Sequence, residues 1–361
     1  MSLLNCAIIG CNTIAQVAHL PACQAASDLC KIRYFVDLNR DTAIKLRDQY
    51  GSGVVITDYR EILNDGLLDC AIVCTPNATH APISIDLLRA GKHVFCEKPA
   101  ALNAKMARAM QRTADEAGKL LNIGVCMRYD TAVEKVHEMI QAGELGEVYH
   151  VYCSFRAHRS IPGLGGAFTQ KALSGGGALI DWGVHYLDLI AYCTGEPAIK
   201  SVSANAYSKL GNPISDYICK EMWAGPKREN GIYDVEDFVT GFIRTEGPSI
   251  TFNGAWAQNI GEDAKFIEFL GTKGGIKLQY QGGFTFYSTH NGMLTQTNYD
   301  FNSENIYQAE IRDFLECIPK GIRNRANIAH AVLTSELMDL IYRSSELKCE
   351  ISTKRTLTCR T

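Results

Sequence analysis

The sequence predicts an α/β fold: a doubly wound parallel sheet over residues 1–125 and a second, strand-rich domain over residues 126–361. Three observations carry that expectation. Short, continuously apolar runs recur through the first part, stretches with helical spacing separate them, and beyond Gly146 strand-like runs follow one another across turns without regular helices between them.

Leu4 to Ile9 is an apolar run closed by Gly10, and Thr13 to Ala26 then carries Ile14, Val17, Ala18 and Ala22 at helical spacing. The chain therefore opens strand, tight turn, helix. Lys31 to Val36 is a second strand ending in Asp37, and the series continues with Val54 to Thr57, Asp69 to Thr75, His93 to Cys96 and Leu120 to Gly124. Arg40 to Gln49, Tyr59 to Asn64, Ala81 to Ala90 and Ala104 to Ala117 are the helices between them. Strands that are apolar on both faces imply a parallel sheet covered on both sides. In the second half, Arg128 to Ala142 reads as a helix ended by Gly143 and Gly146. Strands are expected at Val148 to Phe155, Ile199 to Ala206, Phe238 to Arg244, Ser249 to Ala257, Phe266 to Leu270 and Gly275 to Tyr280. Asn305 to Cys317 and Ile328 to Arg343 are then helices able to pack back on the first domain.

With 361 residues, 46% hydrophobic and 21% charged, the chain is a two-domain globular protein by composition. Lys plus Arg at 36 against Asp plus Glu at 39 gives a net charge of -3 with no basic block, which argues against nucleic acid and anionic membranes as partners. Small molecules or copies of the same chain are expected instead. The 14 cysteines are scattered, with no Cys-x-x-Cys and no zinc-like spacing. Cys6, Cys70, Cys74, Cys96 and Cys153 lie in apolar runs, as buried free thiols do. No metal is expected. Met1 to Gly10 has no basic region or cleavage site, and no segment reaches about 18 apolar residues, so a cytoplasmic protein is expected.

In doubly wound sheets the ligand lies beyond the carboxyl ends of the strands. After the first strand stands Gly10-Cys11-Asn12-Thr13-Ile14-Ala15, a G-x-G-x-x-A turn with Asn12 in place of the middle glycine. Gly10 makes the turn, Ala15 keeps the helix close to the sheet, and Asn12 is the non-glycine residue that best tolerates a left-handed backbone there. The helix N-terminus offers N–H groups to a pyrophosphate. Asp37 ends the second strand 22 residues after Ala15, where an acid accepts from ribose hydroxyls; the rival reading is a helix N-cap. An acid here favours NAD, while Arg40 can pair with the 2′-phosphate of NADP. Flavin and S-adenosylmethionine enzymes share such a turn, so these residues leave the cofactor open.

Two further strand ends carry Thr75-Pro76-Asn77-Ala78-Thr79-His80 and Cys96-Glu97-Lys98-Pro99, the latter with a bond that proline allows to be cis. The glycine run Gly175-Gly176-Gly177 lets the chain pass close to a ligand. It leads into a helix on which Asp181 and His185, four apart, share one face in apolar surroundings. The glycine-rich stretch Arg156 to Leu173 reads either as a loop over the crevice, with Arg156, His158, Arg159 and Lys171 as donors for hydroxyls or an anion, or as a solvated surface loop.

In order and spacing, the Gly10 turn, Thr75-Pro76-Asn77 with His80, Glu97-Lys98-Pro99 and the glycine run leading to Asp181 and His185 resemble the Gfo/Idh/MocA family of NAD(P)-dependent oxidoreductases. The resemblance implies an N-terminal Rossmann domain and a C-terminal α/β domain built on a large, mostly antiparallel sheet whose open face forms a homo-oligomer contact, in a dimer or tetramer. It implies NAD as cofactor, with NADP as the alternative, held by Gly10, Asn12, Thr13, Ile14, Asp37, Arg40, Thr75, Pro76, Asn77, His80, Glu97 and Lys98. Lys98, Asp181 and His185 become the catalytic set, with Arg128 near them, around a sugar, glycoside or inositol that Arg156 and His158, the donors of the loop, are candidates to bind. A sugar-nucleotide dehydrogenase and a non-catalytic NAD-binding regulator are the alternatives.

Overall fold

The computed structural model describes residues 3–220, 222–301 and 305–353. It divides into two compact units, Met1–Tyr129 with Ser303–Ser335, and Asp130–Asn302 with Glu336–Thr361.

The first unit is a six-stranded sheet of β1 (Leu4–Ile9), β2 (Cys30–Val36), β3 (Val54–Ile56), β4 (Cys70–Val73), β5 (His93–Glu97) and β6 (Leu121–Gly124). Every pairing is parallel and the order is β3-β2-β1-β4-β5-β6. Successive side chains enter opposite cores: Ile8, Ile72 and Phe95 pack in one cluster, Ile9, Val73 and Val94 in the other. Both faces are dry, which is why the strands read as continuous apolar runs. Helices α1 (Leu20–Ala25), α2 (Arg40–Tyr50), α3 (Asn77–Arg89) and α4 (Ala104–Ala117) fill the connections. The helix expected over Thr13 to Ala26 contains a π turn at Ala15–His19, ahead of α1.

The second unit opens with α5 (Thr131–Gln141), which starts three residues later than expected. Asp130 Oδ1 caps it by accepting from the N–H groups of Ala132 and Val133. Its sheet has nine strands: β7 (Val148–Arg156), β8 (Ile199–Tyr207), β9 (Phe238–Thr245), β10 (Ser249–Ala255), β11 (Ala264–Gly271), β12 (Gly274–Gln279), β13 (Phe284–His290), β14 (Met293–Tyr299) and β15 (Ile351–Ser352). Their order is β14-β13-β12-β11-β7-β10-β9-β8-β15. Among the described strands β7 and β10 pair parallel and the remaining pairs are antiparallel. Val151, Cys153, Ile250, Phe252, Ile267 and Phe269 bury one face, while Tyr152, Phe242 and Phe266 stay partly exposed on the other. Short α6 (Lys171–Ser174) and α7 (Val184–Thr194) lie between β7 and β8 in sequence.

Of the last helices, α8 (Ile306–Lys320) belongs to the first unit, where Phe314 meets Phe95 edge-on at 5.7 Å. The long α9 (Ile328–Leu347) begins in that unit and ends in the second. The described cysteines form no disulfide with one another and are buried except for Cys219 and Cys349. Among the described residues no helix is long and apolar enough to cross a membrane.

Candidate active site

Strand order in the first unit reverses between β1 and β4, so the open crevice lies beyond their carboxyl ends, where Gly10 and Cys74 stand. Gly10 is needed there twice over. Its φ is +91°, and a Cβ would sit 2.8 Å from the backbone of Cys74. The left-handed residue of the turn is thus Gly10; Asn12 does not adopt that conformation and lies exposed beside the exposed Thr13 and half-buried Ile14. The first N–H groups of this helix have no acceptor within it, the arrangement that takes a phosphate. Asp37 Oδ2 accepts the Cys11 N–H at 2.7 Å and its Oδ1 accepts from Asn39 at 2.8 Å. Capping of α2 falls to Asn39, which accepts from Asp41 and Thr42, so Asp37 is not a cap. Arg40 is exposed on the first turn of α2.

The two other strand ends are locked together from inside. His80, 1% exposed, places Nδ1 2.7 Å from the Pro99 carbonyl oxygen and Nε2 2.7 Å from that of Thr75. Burial pushes this imidazole below its ordinary value. Glu97, 7% exposed, meets His19 Nε2 at 2.7 Å through Oε1 and accepts the Lys98 N–H at 3.0 Å through Oε2. Burial works against its charge, but the hydrogen bond from His19, with the charges of His19, Lys98 and His80, brings the carboxyl below its usual range. The Lys98–Pro99 bond is cis. Glu97 and His80, expected as cofactor contacts, therefore face into the protein and shape the loops. Thr75, Asn77 and Lys98 keep partial exposure and Pro76 is exposed. Arg128, expected near substrate, is 1% exposed and donates to the Arg325 carbonyl at 2.8 Å.

In the second unit Asp181 lies in a π turn, Leu179–Gly183, that runs into α7, and His185 stands in the first turn of α7. Asp181 is 6% exposed, and its Oδ2 accepts the indole N–H of fully buried Trp256 at 3.1 Å. His185 is half-buried with its ring 6.3 Å from that of Tyr280, which stacks on Tyr186. Trp256 follows β10, whose last residue Ala255 pairs with Arg156 at the end of β7. The stretch after Arg156 runs beside it: Ser160 donates to the Trp256 carbonyl and Gln258 to those of Ala157 and His158. Arg156 and His158 are thus brought to the sheet end that carries Trp256. Arg156 leans on Ser154, Arg159 donates to Asn259, and Lys171 is exposed on α6.

The glycine run has a different reason from the one expected. A Cβ on Gly176 would lie 2.0 Å from Tyr342 Oη, and one on Gly177 would lie 1.9 Å from the Glu236 carbonyl oxygen. At these two glycines the chain passes close to its own protein. Glu236, Trp256, Tyr342 and His19 are the residues that sequence reasoning missed. For His19 a signal existed, a histidine in an otherwise apolar helix; the other three come from distant segments.

Two family models match the chain. One, described as the oxidoreductase family with an NAD-binding Rossmann fold, covers residues 4–125, and the other, the GFO/IDH/MocA C-terminal domain, covers residues 133–277. Over 350 residues the chain is 30% identical to D-glucoside 3-dehydrogenase of Escherichia coli (strain K12), spanning 96% of each protein. It is 26% identical over 350 residues to inositol 2-dehydrogenase of Rhizobium meliloti (strain 1021), spanning 96% of this chain and 98% of that one. Among solved structures, levoglucosan dehydrogenase in complex with NADH and levoglucosan superposes with a TM-score of 0.85 at 20% identity, over 98% of this chain and 100% of that one, a likeness of fold.

Proposed function

The chain belongs to the Gfo/Idh/MocA oxidoreductase family, and on that premise we propose that it oxidises a ring secondary alcohol of a sugar, glycoside or inositol with NAD or NADP, or reduces the matching ketone. The observation that carries this reading is the near end-to-end similarity to a glucoside dehydrogenase and an inositol dehydrogenase in a chain that has Lys98, Asp181 and His185 in the family's motifs.

The residues of the first unit fit a dinucleotide. The exposed helix start at Asn12 and Thr13 suits the pyrophosphate, and Asp37 with Arg40 suits the adenosine ribose. Ile14, Thr75, Pro76, Asn77 and Lys98 complete the cradle, with Gly10 shaping it and His80 and Glu97 holding its loops. Bound there, the nicotinamide supplies the hydride acceptor.

The protein's own groups handle the proton and the charge. His185 takes the proton of the substrate hydroxyl as general base. Lys98 sets a positive charge where alkoxide character develops. Asp181, fixed by Trp256, orients the reacting hydroxyl, and Arg156 and His158 supply donors for the remaining hydroxyls. A cytoplasmic homo-oligomer joined through the face bearing Tyr152, Phe242 and Phe266 completes the reading.

Lys98→Met and His185→Ala test it. Each is expected to lower kcat by about a hundredfold or more while dinucleotide affinity, read by fluorescence titration, is retained. Near-wild-type turnover in both variants would remove the assignment.

A further inference from the structure

We propose that Glu236, which has no role in the chemistry described above, is the positioning residue that sets the helix bearing Asp181 and His185. This rests on the catalytic reading just given. Three consecutive N–H groups at the helix start need acceptors from outside the helix, and one residue provides all of them. Glu236 Oε2 accepts from Gly177 at 2.9 Å, its backbone carbonyl from Ala178 at 3.2 Å, and its Oε1 from Leu179 at 2.9 Å. Tyr342 Oη, from α9, donates to the same Oε1 at 2.9 Å. Any side chain at Gly176 or Gly177 would collide with Tyr342 or with Glu236. The glycine run is thus the receiving surface of this cap.

The next residue secures a second point. The Asp237 carbonyl accepts the Trp256 N–H at 2.9 Å, and the Trp256 indole holds Asp181. Asp237 is itself fixed, its Oδ2 accepting from Lys209 at 2.8 Å, Leu210 at 2.6 Å and the Tyr233 hydroxyl at 2.8 Å. The pair Glu236-Asp237 therefore holds the backbone entry of the helix with one residue and, through Trp256, the carboxylate of Asp181 with the other.

The carboxylate also contributes charge. Burial works against the charge of Glu236 and raises its carboxyl above the usual range, opposed by the hydrogen bonds from Leu179, Gly177 and Tyr342. All three groups that meet its side-chain oxygens are donors, so the ionised form is satisfied and complements the positive end of the helix. His185 lies six residues beyond Leu179, roughly 9 Å along an α-helical axis, and the carboxylate lies past that end of the helix, so its charge reaches the ring at low ionic strength, where the pH profiles are compared. Tyr280 and Tyr186 of the same unit also lie beside the His185 ring or next to it in sequence, and Asp181 precedes it by a turn.

The test uses the full-length protein carrying Glu236→Gln, with Tyr342→Phe beside it. In Glu236→Gln an amide NH2 faces a backbone donor, so hydrogen exchange at residues 177–179 should accelerate. Dinucleotide affinity should stay at the wild-type value. On a substrate the wild type turns over, kcat should fall about a hundredfold, as a displacement near 1 Å produces, with KM little changed. The acid limb of kcat/KM should move to lower pH, because a negative charge near His185 has gone. Tyr342→Phe removes no charge; it should lower kcat less, at unchanged KM and with the limb unmoved. Wild-type kcat in Glu236→Gln overturns the proposal, and so does a fall in kcat with an unmoved acid limb, which would leave Glu236 a merely structural role. If Glu236→Gln does not fold, Tyr342→Phe decides: kcat lowered at constant KM supports the proposal, and wild-type kcat overturns it. The exchange measurement needs no substrate. Should the wild type turn over nothing, the reading of function falls while slow exchange at 177–179, and its loss in the variant, still decides the cap.

Discussion

His93 opens β5, and its Nδ1 accepts the Leu120 N–H at 3.0 Å, a bond that only the neutral ring can make. Burial, reinforced by the Lys119 charge, lowers its pKa from 6.5 to about 4. The unfolded chain therefore binds a proton that the folded chain refuses between those values, so the contribution to stability is complete above pH 6.5 and is lost as pH falls toward about 4. In His93→Asn an amide oxygen can accept from Leu120 without titrating. Denaturant unfolding at a series of pH values should show a shallower loss of stability across that window in the variant; parallel curves would refute the explanation. At this scale the candidate chemistry was partly legible. Asp181 and His185 stood out as two polar residues four apart in an apolar helix, and Lys98 as a charge at a strand end. What could not be read was direction. Glu97 and His80 are as polar as Lys98, yet their partners His19, Thr75 and Pro99 turn them inward. Trp256 reaches Asp181 from 75 residues away, and no local pattern records that.

The element that carries Asp181 and His185 depends on the absence of side chains at its entry, most severely at Gly177, where the colliding atom is backbone. Gly177→Ala would force a Cβ to within 1.9 Å of the Glu236 carbonyl oxygen, whereas around Gly66 nothing lies within 4 Å. Backbone cannot yield as a flexible side chain can, so Gly177→Ala should cost about 3 kcal/mol in chemical denaturation. Gly66→Ala should change stability by less than about 0.5 kcal/mol. Equal effects in the two variants would contradict the close approach. Among elements, β1 to β6 were legible because burial on both faces leaves them apolar from end to end. By contrast β13 and β14 put apolar and polar residues alike in water, Tyr287, Met293 and Leu294 beside Thr289, Gln296 and Asn298, so no alternation of buried apolar and exposed polar positions marks them as strands. The π turns at Ala15–His19 and Leu179–Gly183 have no sequence signature of their own, and both sit where the sequence suggested plain α-helix.

For the whole molecule the fold class followed from periodicity and the second sheet from family resemblance; the strand order followed from neither. β7 pairs parallel with β10 across about a hundred residues of chain, a long-range choice that only tertiary packing makes. The face of that sheet bearing Tyr152, Phe242 and Phe266 has aromatic rings partly open to solvent. If it joins copies of the chain, sedimentation of the wild type should give a multiple of 39.8 kDa. Tyr152→Glu combined with Phe242→Glu should then return the protein to that mass, because unpaired carboxylates in an apolar interface are strongly unfavourable. A wild type already sedimenting at the single-chain mass would dismiss the contact. The most direct test of the account as a whole is the near-ultraviolet absorbance of reduced nicotinamide, followed in protein at near-stoichiometric concentration with NAD or NADP while inositols, free sugars and glucosides are added in turn. A rise with one class of ring alcohol and one cofactor, abolished in Lys98→Met and His185→Ala, is the expected result; no rise with any of them, in protein shown to bind the dinucleotide, would contradict it.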